Sequence, residues 1–212
     1  RYPYILLEGC SGGGGRFDLG MLYYSPQIWC SDDTDAIERL KIQYGTSFAY
    51  PVSTVGSHVS ASPNHQTRRR TPLETRGTVA MAGSFGYELD LSRMTEEEQE
   101  IIRHQVEEYK QNYELIHNGK YYRLSSPYED CRATAWAFVS EDKKECLLCA
   151  VITKLQANPD AVIIKLKGLE PKRRYRISDK VYTGEALMYG GYLLPIPDEE
   201  YQSWRFYFRA EE

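Results

Sequence analysis

The sequence has no apolar run approaching the roughly 20 residues that a membrane-spanning helix requires, and residues Arg1–Glu8 do not form a signal peptide. It also has no excess of positive charge. The net charge of -4 at pH 7 argues against a nucleic-acid partner, because binding to phosphate usually needs a basic face. The one dense basic run, Arg68-Arg69-Arg70 followed by Arg76, favours a solvent-exposed loop, with an oligomer contact as the alternative.

Cysteine is too scarce and too irregularly spaced to form a disulfide framework. The five cysteines are Cys10, Cys30, Cys131, Cys146 and Cys149. An odd number at scattered spacing favours a reducing compartment, so a cytoplasmic location is expected. Cys146 and Cys149 match C-x-x-C, but this spacing on a strand places the thiols on opposite faces. No second Cys or His pair follows to complete a zinc site, so a structural role is predicted.

Two nucleotide-binding patterns are also missing, although a strand leads directly into four consecutive glycines, Gly12–Gly15. The third glycine of G-x-G-x-x-G is absent, and no Gly-Lys-Ser/Thr follows, which excludes a dinucleotide fingerprint and a P-loop. A glycine run lets backbone approach a ligand closely. From the residues alone, a flexible loop and a ligand-facing loop both remain open.

The pattern of apolar residues changes near residue 119. Before it, four short apolar stretches alternate with helical patterns, which predicts parallel βα units. Four such strands are too few to close a barrel, so either the sheet is small and open or half of a barrel lies upstream. The predicted strands are Tyr4–Leu7, Gln27–Cys30, Phe48–Val52 and Thr78–Met81, and the predicted helices are Ala36–Ile42, capped by Asp35 and Glu38, and Thr95–Tyr113.

After Asn118-Gly119 the pattern becomes all-β. Short apolar runs are separated by turn residues, which predicts a small antiparallel β-sandwich over residues 119–212. The predicted strands are Tyr121–Leu124, Ala133–Val139, Cys146–Ile152, Ala161–Lys167, Arg174–Ile177, Tyr192–Pro195 and Trp204–Phe208.

Three aspartates follow the second predicted strand, in Ser31-Asp32-Asp33-Thr34-Asp35, immediately before a helix. Asp33 or Asp35 can accept N–H groups at the helix start, which explains one or two of them. A third acid next to Trp29, at the carboxyl end of a barrel-type strand, is where catalytic groups gather. On the pattern alone, catalysis and capping are equally supported for this cluster.

Several long motifs in this chain closely resemble those of the α-galactosidases of glycoside hydrolase family 36. The resemblance is strong over about the first 110 residues and looser in the β region. Its motifs lie at residues 9–18, 20–24, 26–29, 31–39, 50–51, 56–60, 63–66, 71–77 and 85–89.

The resemblance implies an α/β fold, the C-terminal half of a TIM (β/α)8 barrel over residues 1–118, followed by a β-sandwich domain over 119–212. Asp32 corresponds to the family's acid/base and also contacts substrate, and Cys10 and Gly12 line the galactose pocket. The family's nucleophile belongs to a Lys-Trp-Asp motif that these 212 residues do not contain. Cys30 departs from the threonine that is usual in the family. The chain would therefore supply only the acid/base part.

What the resemblance implies for ligands and partners is equally specific. The substrate is a galacto-oligosaccharide such as raffinose or melibiose, no metal or organic cofactor is needed, and the full-length enzyme is a homo-oligomer with no nucleic-acid or membrane partner. The alternatives are an α-N-acetylgalactosaminidase or galactosyl transferase of the same family, and a non-catalytic carbohydrate-binding or interaction fragment. A pairing of Cys10 with His58 or His65, or a metal site on the two histidines, has weak support because nothing places these groups together.

Overall fold

The computed structural model describes residues 2–15, 17–129, 132–158 and 160–211, so Cys131 lies outside the described residues. The chain forms two compact units, Arg1–Gln111 and Asn112–Glu212. The second unit begins with a helix, Tyr113–Asn118, that packs against two of its own strands. The domain boundary between residues 118 and 119 stays a prediction. Among the helices of the described residues, none is both long and apolar enough to span a bilayer.

The first unit is an α/β arrangement of short parallel strands. β1 pairs with β2 and β3 pairs with β4, and a parallel bridge from Ile28 to Val55 joins the two pairs. The strands are therefore neighbours in chain order, and their carboxyl ends lie along one edge. These strands are β1 (Glu8–Gly9), β2 (Gln27–Ile28), β3 (Gly56–Ser60) and β4 (Ser84–Glu88), and the helices are α1 (Leu19–Leu22), α2 (Ala36–Thr46), α3 (Leu73–Ala80) and α4 (Glu96–Gln111).

Three of the four strands predicted for this unit are wrong in position. Tyr4–Leu7 is largely exposed, and β1 begins only at Glu8. Phe48–Val52 is a turn that leads into a 3-10 turn at Val52–Thr54, and Thr78–Met81 lies at the end of α3. Each stretch is a short apolar run, and such a run does not distinguish a strand from a buried helix or a loop.

Both predicted helices are confirmed, and Asp35 and Thr95 cap their starts. The predicted part of Glu38 in capping α2 is wrong, because the Asp35 N–H donates to Asp33 Oδ1 and Glu38 pairs with Arg69. The Asp35 carboxylate accepts the N–H groups of Ile37 and Glu38 at 2.8 and 3.1 Å, which starts α2. The Thr95 hydroxyl accepts the N–H of Glu98, and the Glu98 carboxylate accepts the N–H of Thr95, which forms a capping box before α4. These caps explain why the helix starts are easier to locate from sequence than the strands.

The second unit is built on an antiparallel sheet of six strands among the described residues, in the order β10-β9-β12-β7-β6-β5. A smaller antiparallel pair, β11 with β8, shares one apolar core with it. The antiparallel prediction is confirmed, although Ala161–Lys167 shrinks to a two-residue strand. The strands are β5 (Lys120–Ser125), β6 (Ala133–Val139), β7 (Glu145–Ile152), β8 (Ile163–Ile164), β9 (Arg174–Ile177), β10 (Lys180–Thr183), β11 (Tyr192–Leu193) and β12 (Ser203–Ala210), with helix α5 (Tyr113–Asn118) and a π-helical turn at Ala186–Gly190.

The C-x-x-C cysteines lie on β7, in the middle of this sheet. Cys146 is 0% exposed and belongs to the apolar core, whereas Cys149 lies on the opposite side of the strand and is 1% exposed. Burial raises the pKa of the Cys146 thiol far above its ordinary value, so it stays protonated. The prediction that the two thiols lie on opposite faces of a strand is confirmed, and their structural role stays a prediction. Among the described residues no cluster of three or more His, Cys, Asp or Glu side chains suits a metal ion.

Candidate active site

The glycine run forms a left-handed turn rather than a loosely held loop. Ser11, Gly12, Gly13 and Gly14 have φ angles of 55, 67, 73 and 89°. The N–H of Gly14 donates to the Cys10 carbonyl at 2.7 Å, and the N–H of Gly15 donates to the Ser11 carbonyl at 3.2 Å. Consecutive left-handed residues are costly for any side chain with a Cβ. The left-handed backbone therefore explains why glycines occupy these positions, whereas a flexible loop would not require them.

This turn lies against the segment that follows β2. A Cβ added to Gly13 would lie 2.7 Å from the backbone nitrogen of Asp32 and 3.1 Å from its Cγ. One added to Gly14 would lie 2.6 Å from the carbonyl oxygen of Cys30. Distances this short leave no room for a methyl group, so glycine is required for the close approach as well as for the φ angles. The two motifs flagged in the sequence therefore meet in space.

Asp32 presents its carboxyl group at the surface of this contact. The side chain is exposed, and its Oδ1 accepts the indole N–H of Trp29 at 3.1 Å. The Oδ2 oxygen lies on the side of the glycine turn, 3.3 Å from where a Cβ of Gly13 would be. The two carboxyl oxygens thus have different surroundings, one held by Trp29 and the other facing the turn.

The indole of Trp29 is itself fixed by two neighbours. It stacks on the His58 imidazole, with ring centroids 4.6 Å apart and planes 17° apart. The Arg39 guanidinium carbon lies 4.5 Å from the Trp29 ring centroid, a distance at which a cation is attracted to an aromatic face. Arg39 is 2% exposed and donates to the carbonyls of Ser31 and Gly56 at 3.1 and 2.8 Å. One buried arginine therefore supports both the indole and the backbone just before Asp32.

The other two aspartates of the cluster are used in forming the turn and the helix. Asp33 Oδ1 accepts the backbone N–H of Asp35 at 3.0 Å. Asp35 is 1% exposed, caps α2, and also accepts hydrogen bonds from the Thr67 hydroxyl and the Arg69 guanidinium. Capping, one of the two interpretations open at the sequence level, therefore applies to Asp35. The exposed Asp32 side chain neither caps the helix nor forms the turn before it.

A glutamine from a distant loop closes the segment from the other side. The Gln66 side-chain amide donates to the Asp32 carbonyl at 3.0 Å and accepts the N–H of Thr34, also at 3.0 Å. Gln66 is held in turn because its backbone N–H donates to the Asn64 side chain at 2.9 Å. The position of the Asp32 backbone is therefore set by contacts on both sides.

The structure places the three predicted site residues on adjoining segments. Cys10 and Gly12 are exposed at the glycine turn, with nothing within 4 Å of a Cβ added to Gly12, and Asp32 lies beneath the same turn. Sequence reasoning did not assign a role to Gln66, although residues 63–66 are one of the motifs that resemble the family. It did not foresee the support of Trp29 by His58 either, since nothing in the spacing indicates that stack. His58 thus contacts an indole, with Glu88 Oε2 3.7 Å from its Nδ1.

The basic run has a structural function in part. Arg69 pairs with Asp35 and Glu38, and Arg76 is 7% exposed and donates to the carbonyls of Thr71 and Ser60. Only part of the run is therefore the solvent-exposed loop that the sequence favours.

The electrostatics of Asp35 give a testable consequence. Burial by itself raises the pKa of Asp35, but hydrogen bonds from Thr67 and the Glu38 N–H, together with the charge of Arg69, hold the pKa below its ordinary value. A carboxyl with a lowered folded-state pKa stabilises the fold above its unfolded pKa, and this stabilisation is lost as the pH falls through the folded value. Asp35→Asn should therefore cost about 2 kcal/mol at pH 7, from the lost charge-assisted bonds.

The measurement is urea or thermal unfolding of the complete polypeptide at pH 7 and below pH 4, where the difference between wild type and Asp35→Asn should shrink. Glu38→Gln serves as the control, since its partly exposed pair with Arg69 should contribute less than about 1 kcal/mol. An equal loss for both variants, or a loss that does not change with pH, would contradict the assignment.

The chemistry available at this surface is proton transfer. Asp32 has one oxygen held by an N–H donor and a second facing an open glycine turn, so it can carry or accept a proton there. A retaining glycosidase needs a second carboxylate about 5 Å away. Asp33 and Asp35 are engaged in backbone and ion-pair contacts, so neither fits that second role.

The first unit is an α/β unit with an exposed carboxyl group at a strand end, and the second is an antiparallel sheet unit. We therefore compared the chain with known families that combine these two units. The chain matches the Melibiase family over residues 1–119 and the glycosyl hydrolase family 36 C-terminal domain over residues 133–208. The chain therefore belongs to the melibiases of glycosyl hydrolase family 36.

Named relatives agree with this assignment. The bifunctional α-galactosidase/sucrose kinase AgaSK of Mediterraneibacter gnavus is 54% identical over 210 residues, which are 98% of this chain and 22% of that protein. The α-galactosidase AgaA of Geobacillus stearothermophilus is 51% identical over 208 residues, 97% of this chain and 28% of that protein. A crystal structure of an AgaA variant in complex with raffinose superposes with a TM-score of 0.97 at 48% identity, covering 100% of this chain and 29% of that one. The chain thus spans less than a third of the length of these relatives.

Proposed function

We propose that this chain is part of a retaining α-galactosidase that releases terminal α-linked galactose from oligosaccharides such as raffinose and melibiose. The observation that carries the proposal is the exposed carboxyl of Asp32 at the end of β2, with Oδ1 held by Trp29 and Oδ2 facing the left-handed glycine turn. The family membership and the names of the relatives support the choice of substrate.

In this proposal Asp32 is the acid/base. Its proton passes to the glycosidic oxygen as the bond to the galactose anomeric carbon breaks and a carboxylate nucleophile bonds to that carbon. Asp32 then takes a proton from water as the water oxygen attacks the same carbon and the nucleophile leaves. The nucleophile belongs, by family resemblance, to a Lys-Trp-Asp motif that these 212 residues lack. Cys10 and Gly12, exposed beside Asp32, are proposed to line the galactose pocket.

The four parallel strands fit the second half of a (β/α)8 barrel. They are neighbours in chain order, and Asp32 follows β2 at its carboxyl end, which is the end where barrel enzymes place their catalytic groups. The proposed domain division is residues 1–118 for the half barrel and 119–212 for the β-sandwich domain. Homo-oligomer formation by the full-length enzyme and a cytoplasmic location remain proposals as well.

The proposal is tested by supplying raffinose to the complete polypeptide that carries these residues and following the product by proton NMR. We expect α-galactose to appear first and then to mutarotate, since two displacements retain the configuration. The β-anomer as first product, or no galactose at all, would reject the proposal. Faster cleavage of an α-N-acetylgalactosaminide than of an α-galactoside would favour the runner-up in the same family.

A second expectation concerns the 212-residue chain by itself. We predict that it does not hydrolyse aryl α-galactosides, because a retaining mechanism requires two carboxylates and only the acid/base is assigned here. The measurement is release of nitrophenol by the purified chain, with the complete polypeptide as the positive control. Turnover by the chain near the rate of the complete enzyme would show that the nucleophile has been assigned to the wrong part of the protein.

A further inference from the structure

We propose that Trp29 is a positioning residue for Asp32: its indole N–H holds Oδ1, so that Oδ2 is the oxygen that exchanges the proton. This inference rests on the proposed function, because it assumes that Asp32 is the acid/base. It goes further by assigning one carboxyl oxygen to the chemistry and one residue to the selection of that oxygen.

The first observation is the asymmetry of the carboxyl group. Trp29 Nε1 lies 3.1 Å from Asp32 Oδ1, and an indole N–H is a donor only. The carbonyl oxygen of a neutral carboxyl group is a better acceptor than its hydroxyl oxygen, so the Trp29 N–H favours the form in which Oδ1 is the carbonyl oxygen. When Asp32 is protonated, this hydrogen bond therefore favours the proton on Oδ2.

The second observation is where Oδ2 points. A Cβ added to Gly13 would lie 3.3 Å from Oδ2, so the glycine turn passes along this oxygen. At Gly12, the next residue of the turn, an added Cβ would find nothing within 4 Å. The oxygen that Trp29 does not hold thus lies beside the glycine turn, whose exposed Gly12 is proposed to line the galactose pocket.

The third observation is that the indole has little freedom to move away. Its ring stacks on His58 at 4.6 Å and contacts the Arg39 guanidinium at 4.5 Å. Arg39 is buried and donates to Ser31 and Gly56, so it is fixed by the backbone on two sides. A donor held in this way keeps its orientation during the reaction, which is what a positioning group must do.

The consequence for the reaction is that one oxygen acts in both steps. Oδ2–H gives its proton to the leaving oxygen in the first step, and Oδ2 receives a proton from the attacking water in the second. Without the indole N–H, the proton can lie on either oxygen and the carboxyl group can rotate, so a smaller fraction of the enzyme is ready to donate. Substrates with poor leaving groups should suffer most, because they depend on that proton.

The test is Trp29→Phe in the complete polypeptide, which removes the N–H and keeps an aromatic ring for His58 and Arg39. We expect kcat/KM for raffinose to fall about 30-fold, a part of the 10²- to 10⁴-fold that general acid catalysis supplies. For a dinitrophenyl α-galactoside, which needs little protonation, kcat/KM should change by less than about threefold. A merely structural effect would lower both substrates alike.

Two further variants keep the result interpretable. Trp204→Phe makes the same chemical change on β12 in the second unit and should leave the ratio of the two substrates unchanged. If Trp29→Phe does not fold, Trp29→3-benzothienylalanine replaces the N–H by sulfur with almost no change of shape, and the same loss on raffinose is expected.

The outcomes separate the two proposals. If the wild-type polypeptide does not cleave α-galactosides, the proposed function fails. If the wild type cleaves them and a folded Trp29 variant loses activity equally on both substrates, or loses none, the positioning role of Trp29 is overturned while the function stands.

Discussion

Asp32→Asn in the complete enzyme is expected to lower kcat/KM for raffinose by about 10³-fold, within the range that general acid–base catalysis contributes. An amide cannot give a proton to the leaving sugar oxygen. It can still accept the Trp29 N–H that Asp32 accepts at 3.1 Å, so the fold around the site should be kept. Substrates with acidic phenol leaving groups need little protonation, and their first step should suffer far less.

The second step of the Asp32→Asn reaction provides an independent check. Without a base to activate water, the glycosyl-enzyme intermediate should accumulate, and azide should rescue turnover because it needs no deprotonation. The product should be α-galactosyl azide, with retained configuration. The measurement is the rate with and without azide, together with the configuration of the azide by NMR.

Asp33→Asn is the matched control for this experiment. Asp33 accepts the backbone N–H of Asp35 at 3.0 Å, and an asparagine carbonyl can accept the same bond. We expect near-normal cleavage of raffinose and no azide rescue in this variant. Normal raffinose cleavage by Asp32→Asn, or the rescue pattern in Asp33→Asn only, would show that the acid/base has been assigned to the wrong aspartate.

The second large effect is expected at Gly13. In Gly13→Ala the new Cβ would lie 2.7 Å from the Asp32 nitrogen and 3.1 Å from its Cγ, so either the glycine turn or Asp32 must move. A displacement of about 1 Å at a catalytic group can cost 10²-fold in rate. We therefore expect kcat for raffinose to fall about 10²-fold, with a stability loss of about 1–2 kcal/mol from the left-handed φ.

Gly12→Ala is the control that separates the cost of a left-handed φ from the cost of the contact between Gly13 and Asp32. Its φ of 67° is close to the 73° of Gly13, but its Cβ would meet nothing within 4 Å. Thermal unfolding should show a loss in both variants from the left-handed φ, and a larger loss in Gly13→Ala, whose Cβ also meets Asp32. The fall in kcat should be confined to Gly13→Ala, whereas Gly12→Ala should raise KM, because Gly12 is proposed to face the sugar. Equal losses of kcat in both variants would mean that strain in the turn, and not its contact with Asp32, controls activity.

Local signals in the sequence located the helices of this protein well. Asp35 and Thr95 cap α2 and α4 because their side chains can reach backbone N–H groups only two or three residues away. Such contacts depend on a few neighbouring residues. The long, almost continuously apolar runs of β6 and β7 were also located from sequence, since each is a buried strand bounded by turn residues.

The short parallel strands were harder to locate. β1 and β2 contain two residues each, which is too few to show a period, and the buried end of α3 at Thr78–Ala80 resembles a strand in composition. Parallel strands obtain their hydrogen bonds from residues far along the chain, so the pairing of β3 with β4 across α3 leaves no local mark. Tyr4–Leu7 and Phe48–Val52 were predicted as strands for the same reason: short parallel strands leave no local pattern, so nearby apolar runs were taken for them.

The sequence by itself determined the family, because its motifs recur along the first 110 or so residues, and through that resemblance the choice of Asp32 as the candidate acid/base. The need for glycine after β1 follows only from the structure, from its left-handed φ angles and its close contacts. Only the tertiary structure decided that the glycine turn lies on Asp32 and that Asp33 and Asp35 are held by other contacts. It alone also brought Trp29, His58 and Arg39 together. His58 lies 29 residues beyond Trp29 and Gln66 lies 34 beyond Asp32, and contacts at such separations are set by how strands and loops pack, not by local spacing.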